Sequence, residues 1–325
     1  MGVDVHRVQE VCERVRENVS RVIVGKDQAI EQLLVALLCE GHVLVEDVPG
    51  VGKTMLVKSL ARSLNCAFQR IQFTPDLLPS DIIGVSVFNQ GSGHFDFRPG
   101  PIFAQLVLAD EINRAGPRTQ SALLEAMQER QVTVDGKTYP LQRPYMVLAT
   151  QNPVELEGTF PLPEAQMDRF LMRVGLGYPS EDEEYAILQR FRLEEPFETL
   201  EPVVDAEDIA PLATSCRHVY VHKAVAGYMI GIARATRTDA DLALGVSPRG
   251  VLALHRACQV WAALRGRNYV LPDDVQSLVL PVYAHRLLSS ARLQLRGETT
   301  TNILQRIIAR IPVPVEETFA ENTTP

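Results

Sequence analysis

The chain is 325 residues long, enough for about two domains of roughly 150 residues each. Its composition, 46% hydrophobic and 22% charged, is that of an ordinary globular protein, and a net charge of −8 argues against a general nucleic-acid binder. The longest apolar runs, such as Leu33–Cys39, fall far short of the roughly 18 residues that span a bilayer. Asp4, Glu10 and Glu13 interrupt the start where a secretory leader would need an apolar core. A cytoplasmic location without membrane insertion is therefore expected.

In chain order, Val5, Val8, Val11, Val15 and Val19 recur every three or four residues, which predicts an amphipathic helix over 3–19. A second helix is expected over 27–40, with Asp27 as N-cap and Gly41 as stop. Three short apolar runs follow: Val43–Val45, Leu106–Ala109 and Met146–Ala149. Continuous apolarity, rather than alternation, suits strands covered on both faces of a parallel sheet. Ile71–Phe73 and Leu171–Val174 are further strand candidates, and helical spacing such as Leu56, Leu60, Leu64 lies between the strands. Strand alternating with helix makes this an α/β fold, with helices on both faces of the sheet.

Two hairpins interrupt that plan. Asp135-Gly136 between Val132–Val134 and Lys137–Tyr139 is a two-residue turn signal. A looser hairpin at 85–98 is expected to set Val85 and Val87 against Phe95 and Phe97 across a glycine-rich tip. Beyond about residue 178 the pattern changes. Ser180 with Glu183 forms a capping box that opens a helix through Phe191, a loop covers 193–203, and only helical spacing follows. The expected organisation is an α/β domain over 1–178 and a smaller all-helical domain over 179–325. The five cysteines (Cys12, Cys39, Cys66, Cys216, Cys258) are scattered without a C-x-x-C pair and read as reduced, buried side chains rather than metal ligands.

The sharpest chemical signal is Pro49, Gly50, Val51, Gly52, Lys53 and Thr54, set between the first buried strand and a helix. Phosphate groups need a loop whose backbone N–H groups can converge on them, which the glycines allow, and a helix N-terminus adds its positive dipole. Lys53 is then placed for the β- and γ-phosphates and the Thr54 hydroxyl for Mg²⁺. The general pattern asks for glycine where Asp47 stands. The second signal is Asp110-Glu111 at the end of an apolar run, a pair that would be costly to bury without a cation to face. Asp110 suits the Mg²⁺ shell and Glu111 a general base for the attacking water. Asn152 ends the third buried strand, where ligands of open α/β sheets bind. Arg169 and Arg249 are candidates to stabilise a transferring phosphoryl group, with surface ion pairs as their alternative role.

These elements in this order resemble AAA+ ATPases, and in detail the MoxR family. The segments that carry the resemblance are VIVGKDQAIEQLL (22–34), HVLVEDVPGVGKTMLVKSLA (42–61), LADEINRAGPRTQSALLEAMQE (108–129), VLATQNPVELEGTFPLPEAQMDRF (147–170) and SPRG (247–250). The resemblance implies an AAA+ core followed by a helical lid. It makes Lys53 and Thr54 Walker A residues, Asp110 and Glu111 Walker B, Asn152 sensor 1 and Arg249 sensor 2. Arg169 becomes the finger that completes a neighbour's site, with Arg173 as a second candidate. Val24 and Gly25 match the segment that covers adenine, and Met55 joins the ATP-binding set. Family members often carry Asp at the position of Asp47. The hairpin at 85–98 resembles the helix-2 insert and that at 131–139 the pre-sensor-1 hairpin. ATP and Mg²⁺ are the implied cofactors. The implied assembly is a ring of identical subunits, a hexamer by family expectation, that remodels, activates or aids metal insertion into client proteins, commonly with von Willebrand factor A-domain partners. Rival readings are a nucleotide-gated scaffold with slow hydrolysis, a DNA-acting motor and, more remotely, a small-molecule kinase.

Overall fold

The computed structural model describes residues 4–91, 93–151, 158–193, 195–291 and 297–315. Helices α1 (Val5–Ser20) and α2 (Asp27–Leu38) lead into β1 (Val43–Glu46), α3 (Lys53–Ser63) and β2 (Phe68–Gln72). A short α4 (Pro79–Ile83) enters the hairpin β3–β4 (Gly84–Asn89, His94–Pro99). Then come β5 (Leu106–Asp110), α5 (Pro117–Glu129), the hairpin β6–β7 (Gln131–Val134, Lys137–Pro140) and β8 (Met146–Gln151). The valines of α1 are all buried, as their spacing demands. Strands β1, β5 and β8 are buried along nearly their whole length, because neighbours cover both faces.

After α6 (Glu164–Met167), β9 (Met172–Val174) completes a five-stranded sheet of order β2-β5-β8-β1-β9. The pairs β2/β5, β5/β8 and β8/β1 are all parallel. This order brings the C-terminal ends of β1, β5 and β8 side by side, so three loops open on one edge of the sheet.

The remaining elements are α7 (Glu181–Arg190), α8 (Ala206–Cys216), α9 (Lys223–Thr238), β10 (Leu242–Leu244), α10 (Pro248–Leu264), α11 (Pro272–Tyr283), β11 (Leu288–Ser289) and α12 (Thr300–Ile308). The capping box that opens α7 forms as expected, Ser180 and Glu183 each accepting from the other's backbone N–H. A two-stranded ladder between β10 and β11 adds a feature that helical spacing alone did not reveal.

The chain divides into two compact units. One comprises Glu13–Leu162 with Val174–Ala210, the other Met1–Cys12, Pro163–Arg173 and Pro211–Pro325. Residues 179–210, expected among the helices of the second half, thus pack with the sheet. The backbone near the end of α3 explains why. The Ser63 carbonyl accepts from the Val203 and Val204 N–H groups, and Arg62 Nε donates to the Leu200 carbonyl at 2.9 Å.

Two local expectations are corrected. Asp27 is the first residue of α2 rather than its cap, and its carboxylate accepts from the Ser20 hydroxyl instead. In the first hairpin, Val85 and Val87 stand opposite Arg98 and Asp96, while Ser86 and Phe88 stand opposite Phe97 and Phe95. The tip closes with Gly93 N–H donating to the Asn89 carbonyl, which pairs Asn89 with His94 and moves the register by one residue. A one-residue slip swaps every side chain to the other face. The second hairpin turns at Asp135 and Gly136 with φ of 49° and 76°, the left-handed pair such a tight turn requires.

Candidate phosphate-binding site

The loop after β1 is shaped by its glycines. Gly50 and Gly52 have φ of 86° and 89°, in the left-handed region that disfavours side chains. Gly52 is the residue from which α3 starts, so Lys53 and Thr54 occupy the first helical turn, where unpaired N–H groups and the helix dipole meet. Lys53 Nζ donates to the Asp47 carbonyl at 3.0 Å, bringing the ammonium back over its own loop.

Asp47, the departure from the general pattern, is buried and fully used. Its Oδ1 accepts from the Val48 N–H at 2.9 Å. Its Oδ2 accepts from the N–H groups of Leu176 and Gly177 at 2.5 and 2.8 Å. The carboxylate ties the start of the loop to the segment following β9.

Across the sheet edge, β5 delivers the two acids. Asp110 Oδ2 accepts from Arg70 Nε and Nη2 at 2.9 and 2.6 Å, and its Oδ1 accepts from the Thr150 hydroxyl at 2.6 Å. The same hydroxyl oxygen accepts from the Glu111 N–H at 2.8 Å. Glu111 takes a left-handed backbone, φ 58° and ψ 50°, uncommon for a non-glycine residue and found at functional turns. Its Oε2 accepts from Gln72 Nε2 at 2.9 Å and pairs with Arg114 Nη1 at 3.1 Å.

The two walls enclose a cleft of about 440 Å³ lined by Pro49, Gly50, Gly52, Lys53, Thr54, Met55, Lys58, Arg70, Asp110, Glu111 and Thr150. Glycine loop, helix start, lysine and acid pair therefore share one cavity. A triphosphate with a divalent cation fits this donor set: Lys53, Lys58 and Arg70, the Thr54 hydroxyl and the acids Asp110 and Glu111 line the same cavity. Val51, Val24 and Gly25 are not among the described lining residues. Gly25 instead lies against Glu183 of α7, where a side chain would collide with the carboxylate. Asn152 lies outside the described residues. Arg169 and Arg249 belong to the other compact unit. Arg169 is half-buried just after α6, and Arg249 is exposed in the first turn of α10.

Four polar residues at the acids were missed by sequence reasoning: Arg70, Gln72, Arg114 and Thr150. Arg70 and Gln72 alternate outward from β2, and Thr150 ends the apolar run of β8. For Thr150 the signal was a polar side chain at the C-terminal end of a buried strand, the same criterion that marks Asn152; Arg70 and Gln72, on the largely exposed β2, and Arg114, in the turn after β5, carry no such mark.

Comparison with known proteins agrees with this architecture. Residues 42–172 match the family model described as ATPase family associated with various cellular activities (AAA), and residues 234–307 match an AAA lid domain. The chain is 50% identical to the uncharacterized protein YeaC of Bacillus subtilis, over 92% of this chain and 94% of that one. It is 42% identical to the chaperone MoxR1 of Mycobacterium tuberculosis, over 97% and 84%, and 31% identical to the protein MoxR of Methylorubrum extorquens, over 94% and 96%. The crystal structure of a Cytophaga hutchinsonii protein superimposes with a TM-score of 0.89 at 37% identity, covering 96% of this chain and 97% of that one. None of the described helices is long and apolar enough to cross a membrane.

Proposed function

Because this chain belongs to the MoxR family of AAA+ ATPases, we propose that it hydrolyses ATP with Mg²⁺ at the interfaces of a cytoplasmic homo-oligomeric ring, a hexamer by family expectation, and uses the cycle to remodel client proteins. The observation that carries the reading is the single cleft that Lys53, Thr54, Asp110 and Glu111 line together.

In this reading Gly50, Gly52 and the first N–H groups of α3 bind phosphate, Lys53 neutralises it, and Met55 and Pro49 shape the loop. Val24, Gly25 and Val51 complete the nucleotide surround. Thr54 and Asp110 would hold the magnesium, which when bound supplies charge neutralisation at the phosphoryl group. Glu111 orients and deprotonates the water, after its carboxylate leaves Gln72 and Arg114. Asn152 assists at the same place. Arg169 acts on the nucleotide of a neighbouring subunit and Arg249 on phosphate as the lid residue, a contribution of about 10³–10⁵ in rate for such an arginine.

The hairpins suit contact with clients. Phe88 and Phe95 are 51% and 69% exposed, with ring centroids 5.3 Å apart. An exposed aromatic pair of this kind marks an interaction surface. Phe97 stacks on Tyr139 at 4.3 Å, linking one hairpin to the other. Partners with von Willebrand factor A domains belong to this proposal through the family resemblance alone.

The test is ATP turnover measured against protein concentration, with calorimetry of ATP and Mg²⁺ binding. Turnover per chain should rise as rings assemble, Lys53→Ala should lose binding, and Glu111→Gln should bind without turning over. Binding by Lys53→Ala equal to that of the parent would sink the reading. A slowly hydrolysing, nucleotide-gated scaffold is the second reading, favoured by the hold of Gln72 and Arg114 on Glu111. A scaffold keeps its client effect in Glu111→Gln, whereas a motor loses it.

A further inference from the structure

We infer that Arg286 is a positioning residue that locks the segments carrying Arg169 and Arg249 into one rigid block, so that the two arginines are presented together. The functional part of this inference rests on the proposed roles of those arginines; the mechanical part stands on geometry within one compact unit.

Arg286 follows α11, and its side chain is only 3% exposed. Its N–H donors must therefore be satisfied by protein. Nε donates to Asp168 Oδ1 at 2.9 Å. Nη2 donates to the Phe170 carbonyl at 2.6 Å and Nη1 to the Leu171 carbonyl at 3.0 Å. Nη1 also reaches the Val282 carbonyl. The guanidinium thus grips the residues on both sides of Arg169. His285 adds to the grip, its Nε2 lying 3.1 Å from the Phe170 carbonyl.

The other arginine is tied to the same group by two routes. Asp168 accepts from the Ser247 hydroxyl through both carboxylate oxygens, at 3.3 and 3.1 Å. Ser247 in turn caps α10, its Oγ accepting from the Gly250 N–H at 3.1 Å. Gly250, the neighbour of Arg249, lies flat on the Arg286 stem. A Cβ at that glycine would come within 3.0 Å of Arg286 Cδ and 2.7 Å of Val246 Cγ1. Residues 168–171 and 247–250 are therefore clamped around one buried cation.

Only a guanidinium can do this. Its planar fork serves a carboxylate and two carbonyls at once, which a lysine ammonium on a flexible stem cannot reproduce. Asp168 compensates the buried charge, at 2.9 Å, and the carbonyls of Phe170 and Leu171 take the remaining arms of the guanidinium, a hydrogen-bonded network of the kind that specifies a single arrangement. If the two arginines act on phosphates, a fixed separation between them matters, because a misplacement of about 1 Å can cost roughly 10²-fold in rate.

The experiment uses the full chain under ring-forming conditions, with Arg286→Lys, Arg169→Ala, the double variant and the parent. Hydrogen exchange of residues 168–171 and 247–251 is measured alongside turnover and binding of a non-hydrolysable ATP analogue. In Arg286→Lys, exchange should rise in both segments together. Turnover should fall by about 10²-fold while analogue binding stays close to the parent. The double variant should be slower than Arg169→Ala by less than the full factor that Arg286→Lys costs alone, because only the share that runs through Arg249 is left to lose. Faster exchange in only one segment, or losses that multiply in the double variant, would overturn the inference. Should Arg169→Ala itself leave turnover intact while both segments exchange faster, the block stands and the catalytic role of Arg169 falls. If Arg286→Lys does not fold, Asp168→Asn, which keeps the shape and removes the charge, is expected to give the same paired rise, and exchange confined to one segment refutes the block there too.

Discussion

The carboxylate of Asp47 accepts a hydrogen bond from the backbone N–H of Gly177 at 2.8 Å, across 130 positions of sequence. The Leu176 and Val48 N–H groups bond to the same side chain, so the residue where the general phosphate-loop pattern has glycine serves as the loop's anchor. A carboxylate with three N–H donors is well compensated for burial, and the donors lose their partner when it is removed. Asp47→Gly, which restores the general pattern, is therefore expected to destabilise the protein by about 1–3 kcal/mol and to weaken ATP binding. Denaturant unfolding and calorimetry read the two effects. A variant as stable and as tight-binding as the parent would show that the anchor is dispensable.

Thr150 joins the two acids, donating to Asp110 and accepting from the Glu111 N–H. A residue that orients the proposed metal and water ligands from behind is worth roughly 10–100-fold when lost. Thr150→Val keeps the shape and should lower turnover by about that factor, and Thr150→Ser should restore most of it. Steady-state assays decide the matter, and equal rates for valine and parent would remove Thr150 from the site.

His285 is buried, and its pKa lies well below the ordinary histidine range, chiefly through burial and then through the charges of Arg286 and Arg173. The folded chain holds it neutral, while the unfolded chain takes up a proton below about pH 6.5. Stability should therefore be retained above that pH and lost as pH falls through it, by up to about 1.4 kcal/mol per pH unit for this group. Urea unfolding midpoints at pH 7.5 and 5.5 test the sign, with a smaller drop expected for His285→Gln. A higher midpoint at pH 5.5 contradicts the assignment.

Burial raises the thiols of Cys66 and Cys216, each to about 12. The thiolate is the reactive form, so both should resist alkylation at pH 8 in the folded chain and react once it unfolds. Mass spectrometry of iodoacetamide-treated protein with and without urea reads this directly. Rapid labelling of either cysteine in the folded state would count against it.

Much of the site was legible in the sequence because it depends on local chemistry. The apolar runs around Leu44, Leu108 and Leu148 announced buried parallel strands. The spacing of Gly50, Gly52 and Lys53 announced a loop that turns left-handed into a helix. Asp135-Gly136 named its own turn. Asp110 and Glu111 stood out because acids at the end of a buried strand call for a cation. In the hairpin at 85–98, by contrast, alternation marked two strands but set their register one residue off, since only the closing bond at Asn89 chooses which faces meet.

What tertiary structure alone decided are the long-range partners. Nothing near Asp47 in the chain names Gly177, nothing near Asp110 names Arg70 or Thr150, and nothing near Asp168 names Arg286. Periodicity reports whether a side chain is buried, because burial depends on the faces of its own helix or strand. Pairing between buried polar groups depends on where distant segments cross, and that is set when the sheet order brings β1, β5 and β8 together and when α11 delivers a guanidinium to residues 168–171. The sequence by itself therefore marked the main strands and helices and the candidate phosphate loop, and the fold decided which side chains hold that loop and its acids in place.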